Sequence, residues 1–390
     1  MTPAAREAAA MILLDRWLEG QPLEAALTNW ARASRFAGSG DREAVRDLVF
    51  QAVRRRRSAA ALGQGETGRA MLLGLARAAG RDLSGWNGEG HAPSALTDDE
   101  RALLAAPVPD LPRGVGLDCP DWLLPAFDAA LGDQADDVLR LMQDRAPVFL
   151  RVNRARSTPE KVARDLAGDG IETRPHPLAE TALEVTAHPR RLRNAKPMAE
   201  GEIELQDVAS QAVALAFARQ ASELSVTKVL DYCAGGGGKS LALAAEGLGV
   251  SAHDIDPRRM ADLPARAKRA GATIRVLQDP PTGAWPAIFA DAPCSGSGSW
   301  RRAPEAKWAF TAERLDELQR IQDSILDRCA ELTAPGGILG YATCSLFRAE
   351  DEERVAAFLQ RQPGWQRLSE LRLSPLDGGD GFFLAVLRKA

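Results

Sequence analysis

The ten residues Asp231–Ser240, DYCAGGGGKS, end one apolar run, KVLDY, and open another, GKSLALAAEG. A strand that breaks in a glycine-rich turn and restarts as a helix is the first unit of a doubly wound α/β sheet. The four glycines Gly235 to Gly238 let a ligand approach the backbone, and the helix start behind them favours a negative group. Three ligands compete for this loop. A phosphate loop, GxxxxGK[ST], accounts for Gly238, Lys239 and Ser240, but its first glycine falls on Cys233. A dinucleotide loop, GxGxxG, starts on Gly235 and Gly237 and fails at Ser240. The third is S-adenosylmethionine, whose methionine carboxylate suits the loop amides.

The residues beyond the loop bear on that choice. VSAHDID, TIRVL, AIFAD and GILGYAT read as strands. Between them lie PRRMADLPARAKRAG, a helix that Pro264 is expected to kink, and the long helix AERLDELQRIQDSILDRCAEL. GFFLAVLRK is a further apolar strand. The alternation predicts a largely parallel sheet whose ligands sit outside the carboxyl ends of the strands. Ribose hydroxyls need an acid at the end of the second strand. Asp254 stands there; Asp256 is the alternative, although before PRR it also suits a helix cap. Asp279, after the third strand, is placed to accept from an adenine amine, and Asp291 ends the fourth.

The cysteines are Cys119, Cys233, Cys294, Cys329 and Cys344. An odd count without CxxC argues against a zinc site or disulfide framework, so free thiols and no metal are expected. Such thiols are usually small buried hydrophobes, and Cys119 and Cys329 read that way. Cys294, in DAPCSGSGSW, and Cys344, in GYATCSLF, each follow a strand, and successive strand ends converge over one cleft. Methylation at carbon 5 of a pyrimidine gives a chemical reason for a thiol there. That carbon is too electron-poor to attack a methyl sulfonium until a thiolate adds at carbon 6. The carbon 5 proton must then leave and the thiol be expelled, so a second assisting group is useful. Free cysteine titrates near about 8.5, so such a site must favour the thiolate. Lys239 is a candidate electropositive neighbour, and Asp291 could bond the ring nitrogen or the exocyclic amine.

The remainder of the 390 residues organises around this sheet. Residues 1–112 are rich in alanine, leucine and arginine, with apolar residues at helical spacing, and predict an all-α domain in which Asp41 caps a helix. PVPDLPRGVGLD, residues 107–118, reads as a hinge. Residues 113–204 predict a small α+β module, and 205–390 the α/β domain. The start of the chain reads as an amphipathic helix rather than a signal peptide, and no apolar run approaches membrane-spanning length, so a cytoplasmic protein is expected. The net charge of −4 does not suggest a general nucleic-acid coat. Arginines nevertheless cluster at Arg54 to Arg57, at Arg151, Arg154 and Arg156, at Arg190, Arg191 and Arg193, and at Arg301 and Arg302.

DYCAGGGGKS, DAPCSGSGSWRRAPEAKW and GYATCSLFRAEDEE together resemble the RsmB/NOP/Sun family of RNA cytosine-C5 methyltransferases, from roughly residue 200 to 390. The resemblance implies a class I, Rossmann-like methyltransferase sheet. It implies Cys344 as the nucleophile and Cys294 as the residue promoting product release, with Asp291 and Lys239 beside them. It implies methyl-donor contacts from Cys233, Ala234, Gly235, Gly236, Gly237, Gly238, Lys239, Asp254, Asp279 and Asp291. The family carries proline where this chain has Gly236, which predicts a more flexible loop. The helical front end resembles a NusB-like RNA-binding domain, and Arg151, Arg154 and Arg156 of the middle module are candidates for phosphate contacts. The expected activity is S-adenosylmethionine-dependent methylation of cytosine C5 in small-subunit (16S) ribosomal RNA, by a monomer. A transfer-RNA methyltransferase, a non-catalytic ribosome-assembly factor and a phosphate-loop ATPase are the rival readings.

Overall fold

The computed structural model describes residues 1–390. It divides into two compact units, Met1–Arg145 with Trp300–Ala309, and Ala146–Ser299 with Phe310–Ala390. The first unit is helical. Helices Pro3–Leu18, Leu23–Ala33, Ser39–Arg54, Arg56–Gly63 and Gly68–Ala79 turn their apolar faces into one core around Leu13, Leu14, Val49, Val53 and Met71. The helix containing Asp41 begins at Ser39 rather than after Asp41. The Asp41 carboxylate reaches back from the first turn to accept from Gly38 N, at 3.1 Å.

The division differs from the expected break near residue 112, because polar contacts fasten 113–145 to the helical core. Asp118 is wholly buried and accepts from Ser58 N at 2.9 Å, Ser58 Oγ at 2.7 Å and Gln143 Nε2 at 2.8 Å. Arg57 pairs with Asp121 at 2.8 Å, and Arg145 with Asp47 at 3.0 Å. The cluster Arg54–Arg57 is thus internal fastening rather than a basic surface. Arg54 donates to Arg301 O, Arg55 pairs with Asp144, and Arg56 lies over the Trp17 and Trp308 rings.

The second unit holds two sheets. The smaller comprises β1 (Val148–Val152), β2 (Glu172–Pro175), β3 (Ala182–Ala187) and β4 (Ile203–Leu205), antiparallel in the order β2-β3-β1-β4. Helix Pro159–Gly168 supplies Val162 and Leu166 to its core. Arg151, on β1, is buried and donates to Gln206 Oε1 at 2.7 Å, so it presents no charge to a phosphate. Arg154 pairs with Glu180, and Arg156 is exposed.

The larger sheet comprises β5 (Lys228–Asp231), β6 (Gly249–Ala252), β7 (Ile274–Val276), β8 (Trp285–Asp291), β9 (Thr333–Thr343), β10 (Trp365–Leu373) and β11 (Phe382–Lys389), in the order β10-β11-β9-β8-β5-β6-β7. Strands β5 to β9 are parallel. Strand β11 returns antiparallel to β9, and β10 antiparallel to β11. Buried Phe289, Ile338, Ala342 and Leu384 pack on one face, and Ile288, Leu339, Tyr341 and Phe383 on the other. Both faces are therefore covered, as parallel strands require. Pro264 does not kink a helix. It stands in the first turn of Leu263–Ala270, where its missing N–H is harmless. No helix is long and apolar enough to cross a membrane.

Candidate active site

The parallel strands bring their carboxyl ends to one edge, and the residues singled out in the sequence follow them. A cavity of about 410 Å³ is lined by Asp231, Cys233, the glycine loop, Lys239, Asp291, Cys294 and Cys344, among others. A second, of about 630 Å³, shares Cys233, Arg259 and Pro293 with it and adds Tyr232, His253, Asp254 and Ile255.

The loop holds its own shape. Gly235 N donates to Asp254 Oδ2 at 2.9 Å and Gly237 N to Ala234 O at 2.8 Å. The first turn of the helix Gly238–Ala245 starts directly behind the loop. Gly236 is not in the left-handed region, and its carbonyl accepts from Arg266.

Asp254 and Asp256 part ways. Asp254 is buried on the cavity wall, with Oδ1 accepting from Asp256 N at 3.0 Å. Asp256 closes the next turn by accepting from Arg258 N, outside both cavities. Asp279 follows β7, is exposed, and lines neither cavity.

At the other end of the cavity the two sulfurs meet. Cys294 Sγ and Cys344 Sγ are 3.4 Å apart, although fifty positions separate them. The contact with Cys344, together with burial, pushes the Cys294 thiol well above the ordinary thiol range. Lys239 Nζ donates to Asp291 Oδ2 at 2.7 Å and lies 4.6 Å from the centre of the Phe382 ring. Burial opposes the charge on Lys239, but Asp291 outweighs it and keeps the ammonium protonated above its usual range. Cys119 and Cys329 are buried away from the cavities, and burial raises both thiols, Cys119 to about 12.

Three residues carry weight that the sequence reading did not give them. Asp231 is wholly buried and lines the first cavity. Its Oδ2 accepts from Ser240 Oγ at 2.5 Å, while Oδ1 has no partner. Ile255 is 93% exposed at the end of β6, an apolar surface on the wall of the second cavity. Glu350 is buried between the two cysteine loops. Asp231 lies in DYCAGGGGKS and Glu350 in GYATCSLFRAEDEE, but nothing in either motif marks the acid as buried.

The walls thus offer a helix start for an anion and an orphaned carboxylate oxygen for a cation. They also offer a strand-end acid for hydroxyls and an aliphatic face for a flat ring. That set matches the amino-acid and nucleoside ends of S-adenosylmethionine. The fold is that of a class I S-adenosylmethionine-dependent methyltransferase.

Residues 217–375 match the model of the 16S rRNA methyltransferase RsmB/F domain, and 119–190 that of the RsmF/B-like ferredoxin-like domain. The chain belongs to this RsmB/F methyltransferase family. It is similar to ribosomal RNA small subunit methyltransferase B of Salmonella typhi, 34% identical over 292 residues, covering 69% of this chain and 66% of the relative. The Salmonella arizonae protein of the same name is 33% identical over 291 residues, with the same coverage. The chain thus spans about two thirds of the length of these curated relatives. Among solved structures, PH0851 superposes with a TM-score of 0.77 at 21% identity over the whole of both chains. NSun6 from Pyrococcus horikoshii with SFG gives 0.59 at 17% identity, over 69% of this chain and 98% of that one.

Proposed function

We propose that the chain methylates carbon 5 of a cytosine in small-subunit ribosomal RNA, with Cys344 as nucleophile and Cys294 assisting release. The observation that carries this is the 3.4 Å sulfur pair opening on the same cavity as Lys239 and Asp291. S-adenosylmethionine, when bound, supplies an electrophilic methyl group. Asp231, Asp254 and the first turn of the helix Gly238–Ala245 would hold it.

In this reading Cys344, which continues from β9 onto the cavity that Lys239 also lines, is the sulfur that attacks. Its addition at carbon 6 pushes the ring π electrons to carbon 5, which becomes nucleophilic. Lys239 provides positive charge near Cys344, and Asp291 is placed to bond the cytosine edge as charge develops there. Release requires the carbon 5 proton to pass to solvent, its bonding pair restoring the ring double bond while the carbon–sulfur bond breaks and that electron pair returns to Cys344. Cys294 stands beside that bond and assists the step. Carbon 6 is covered in a stacked helix, so the cytosine must be single-stranded or flipped. The helical unit, NusB-like in this reading, contributes RNA affinity, and its presence favours ribosomal over transfer RNA.

The pair is tested by two variants on unmodified small-subunit rRNA. Cys344→Ala should form neither adduct nor product. Cys294→Ala should attack and methylate, then stall as a protein–RNA adduct that survives denaturing electrophoresis. An adduct from Cys344→Ala and none from Cys294→Ala would exchange the two roles.

A further inference from the structure

We propose that Glu350 is the positioning residue of the sulfur pair and acts chiefly on Cys294; this rests on the roles given above to the two cysteines. Glu350 has no solvent exposure. Oε1 accepts from Ser295 N at 2.8 Å and Gln322 Nε2 at 3.0 Å. Oε2 accepts from Ser295 Oγ and from Ser345 Oγ, the latter at 2.6 Å. A buried carboxylate is tolerated only when its lone pairs are filled, and here four neutral donors fill them.

Those donors are not scattered. Ser295 follows Cys294 and Ser345 follows Cys344, so one side chain ties both cysteine loops. Gln322 Nε2 also donates to Pro293 O at 2.9 Å, and Pro293 precedes Cys294. Both chain neighbours of Cys294 are therefore held by Glu350, one directly and one through Gln322. Glu350 is itself fixed to the sheet, because Tyr341 Oη on β9 donates to its carbonyl at 2.6 Å.

Cys344 depends on Glu350 less. It continues directly from β9, and its carbonyl accepts from Gly298 N at 3.0 Å. Thr343 Oγ1, one residue earlier, donates to Asp351. Loosening Glu350 should therefore displace Cys294 first. Assistance across a 3.4 Å contact tolerates little displacement. Attack should survive while release fails.

Glu350→Gln keeps the volume and one oxygen but turns an amide donor toward hydroxyls that already donate. On in vitro-transcribed, unmodified small-subunit rRNA, this variant should bind S-adenosylmethionine with wild-type affinity and form the adduct. It should resolve that adduct at least tenfold more slowly than wild type, as Cys294→Ala does. Ser295→Ala removes one donor only and should show a smaller delay in the same direction; it stands in if Glu350→Gln does not fold. Wild-type release by either folded variant, while Cys294→Ala retains its adduct, would overturn the role of Glu350 alone. If Cys294→Ala itself retains no adduct, the assignment of the pair falls and this proposal with it. A lower melting temperature without a persistent adduct would mark Glu350 as purely structural and also overturn the proposal.

Discussion

Asp231 holds its proton to an unusually high pH because it is wholly buried; burial pushes its carboxyl up to about 7, and the hydrogen bond from Ser240 only partly offsets this. A cation brought to its partnerless Oδ1 favours the ionised form. Below pH 7 the carboxyl must first lose its proton, so donor binding releases one and weakens as pH falls. Affinity for S-adenosylmethionine should therefore rise between pH 6 and 7 by up to about tenfold. Asp231→Asn should bind more weakly and without that slope. Calorimetry across the range checks both, and a flat wild-type profile would remove Asp231 from the donor contacts. The strand pattern showed an acid at this position. The burial of both oxygens with only one partnered depends on Ser240, one helical turn into the next element, and was not legible.

At the scale of the element, the four-glycine loop divides into Gly235 and Gly237, whose positive φ favours glycine, and Gly236 and Gly238, which have none. Gly237 has φ +79°, and a Cβ there would stand 2.2 Å from Leu263 Cδ1. Gly236 has no such φ, and its Cβ would meet only the end of Arg266, at 3.4 Å. Gly237→Ala should destabilise the fold by roughly 1–3 kcal/mol and weaken donor binding, since the strain falls on the turn that starts the helix. Gly236→Ala should stay within about 0.5 kcal/mol of wild type. Thermal melts and calorimetry on the pair test this; equal losses would mean that the loop responds as a unit. The strand–turn–helix pattern identified the element. Which glycine is obligatory depends on Leu263, brought in by a helix more than twenty residues later.

At the scale of the whole molecule, the chain returns to the helical unit at Trp300–Ala309, directly after the Cys294 loop. Glu305 accepts from Leu23 N at 3.1 Å, Trp308 Nε1 donates to Val53 O at 2.7 Å, and Trp300 meets Phe127 edge-on. Lys307 is buried and donates to Asp118 O at 2.5 Å. Burial lowers its ammonium to about 8 from about 10.5. Between those values the unfolded chain binds more protons than the folded one, so Lys307 adds stability as pH rises through that window. Wild type should gain on Lys307→Met by on the order of 1.4 kcal/mol per pH unit there. Denaturant melts of both proteins from pH 7 to 10 measure the difference, and parallel curves would show that Lys307 does not titrate in the fold. In the sequence this segment reads as a continuation of the Pro-Cys motif, and nothing local marks it as part of the helical unit.

By itself the sequence determined the doubly wound sheet, the order of strand ends and the two cysteines that follow them. These are written in local pattern: apolar runs bounded by glycine and acids at strand ends, with the topology of parallel sheets doing the rest. Tertiary structure alone decided that the helices at 113–145 pack against the front-end helices. It also decided that Arg54 to Arg57 and Arg151 are consumed inside the fold and that Asp279 stands apart from the cavities. It set the two sulfurs 3.4 Å apart around one buried glutamate. Each of these depends on which distant partner fills a side chain's hydrogen bonds and excludes water from it, and a local pattern carries no record of that partner.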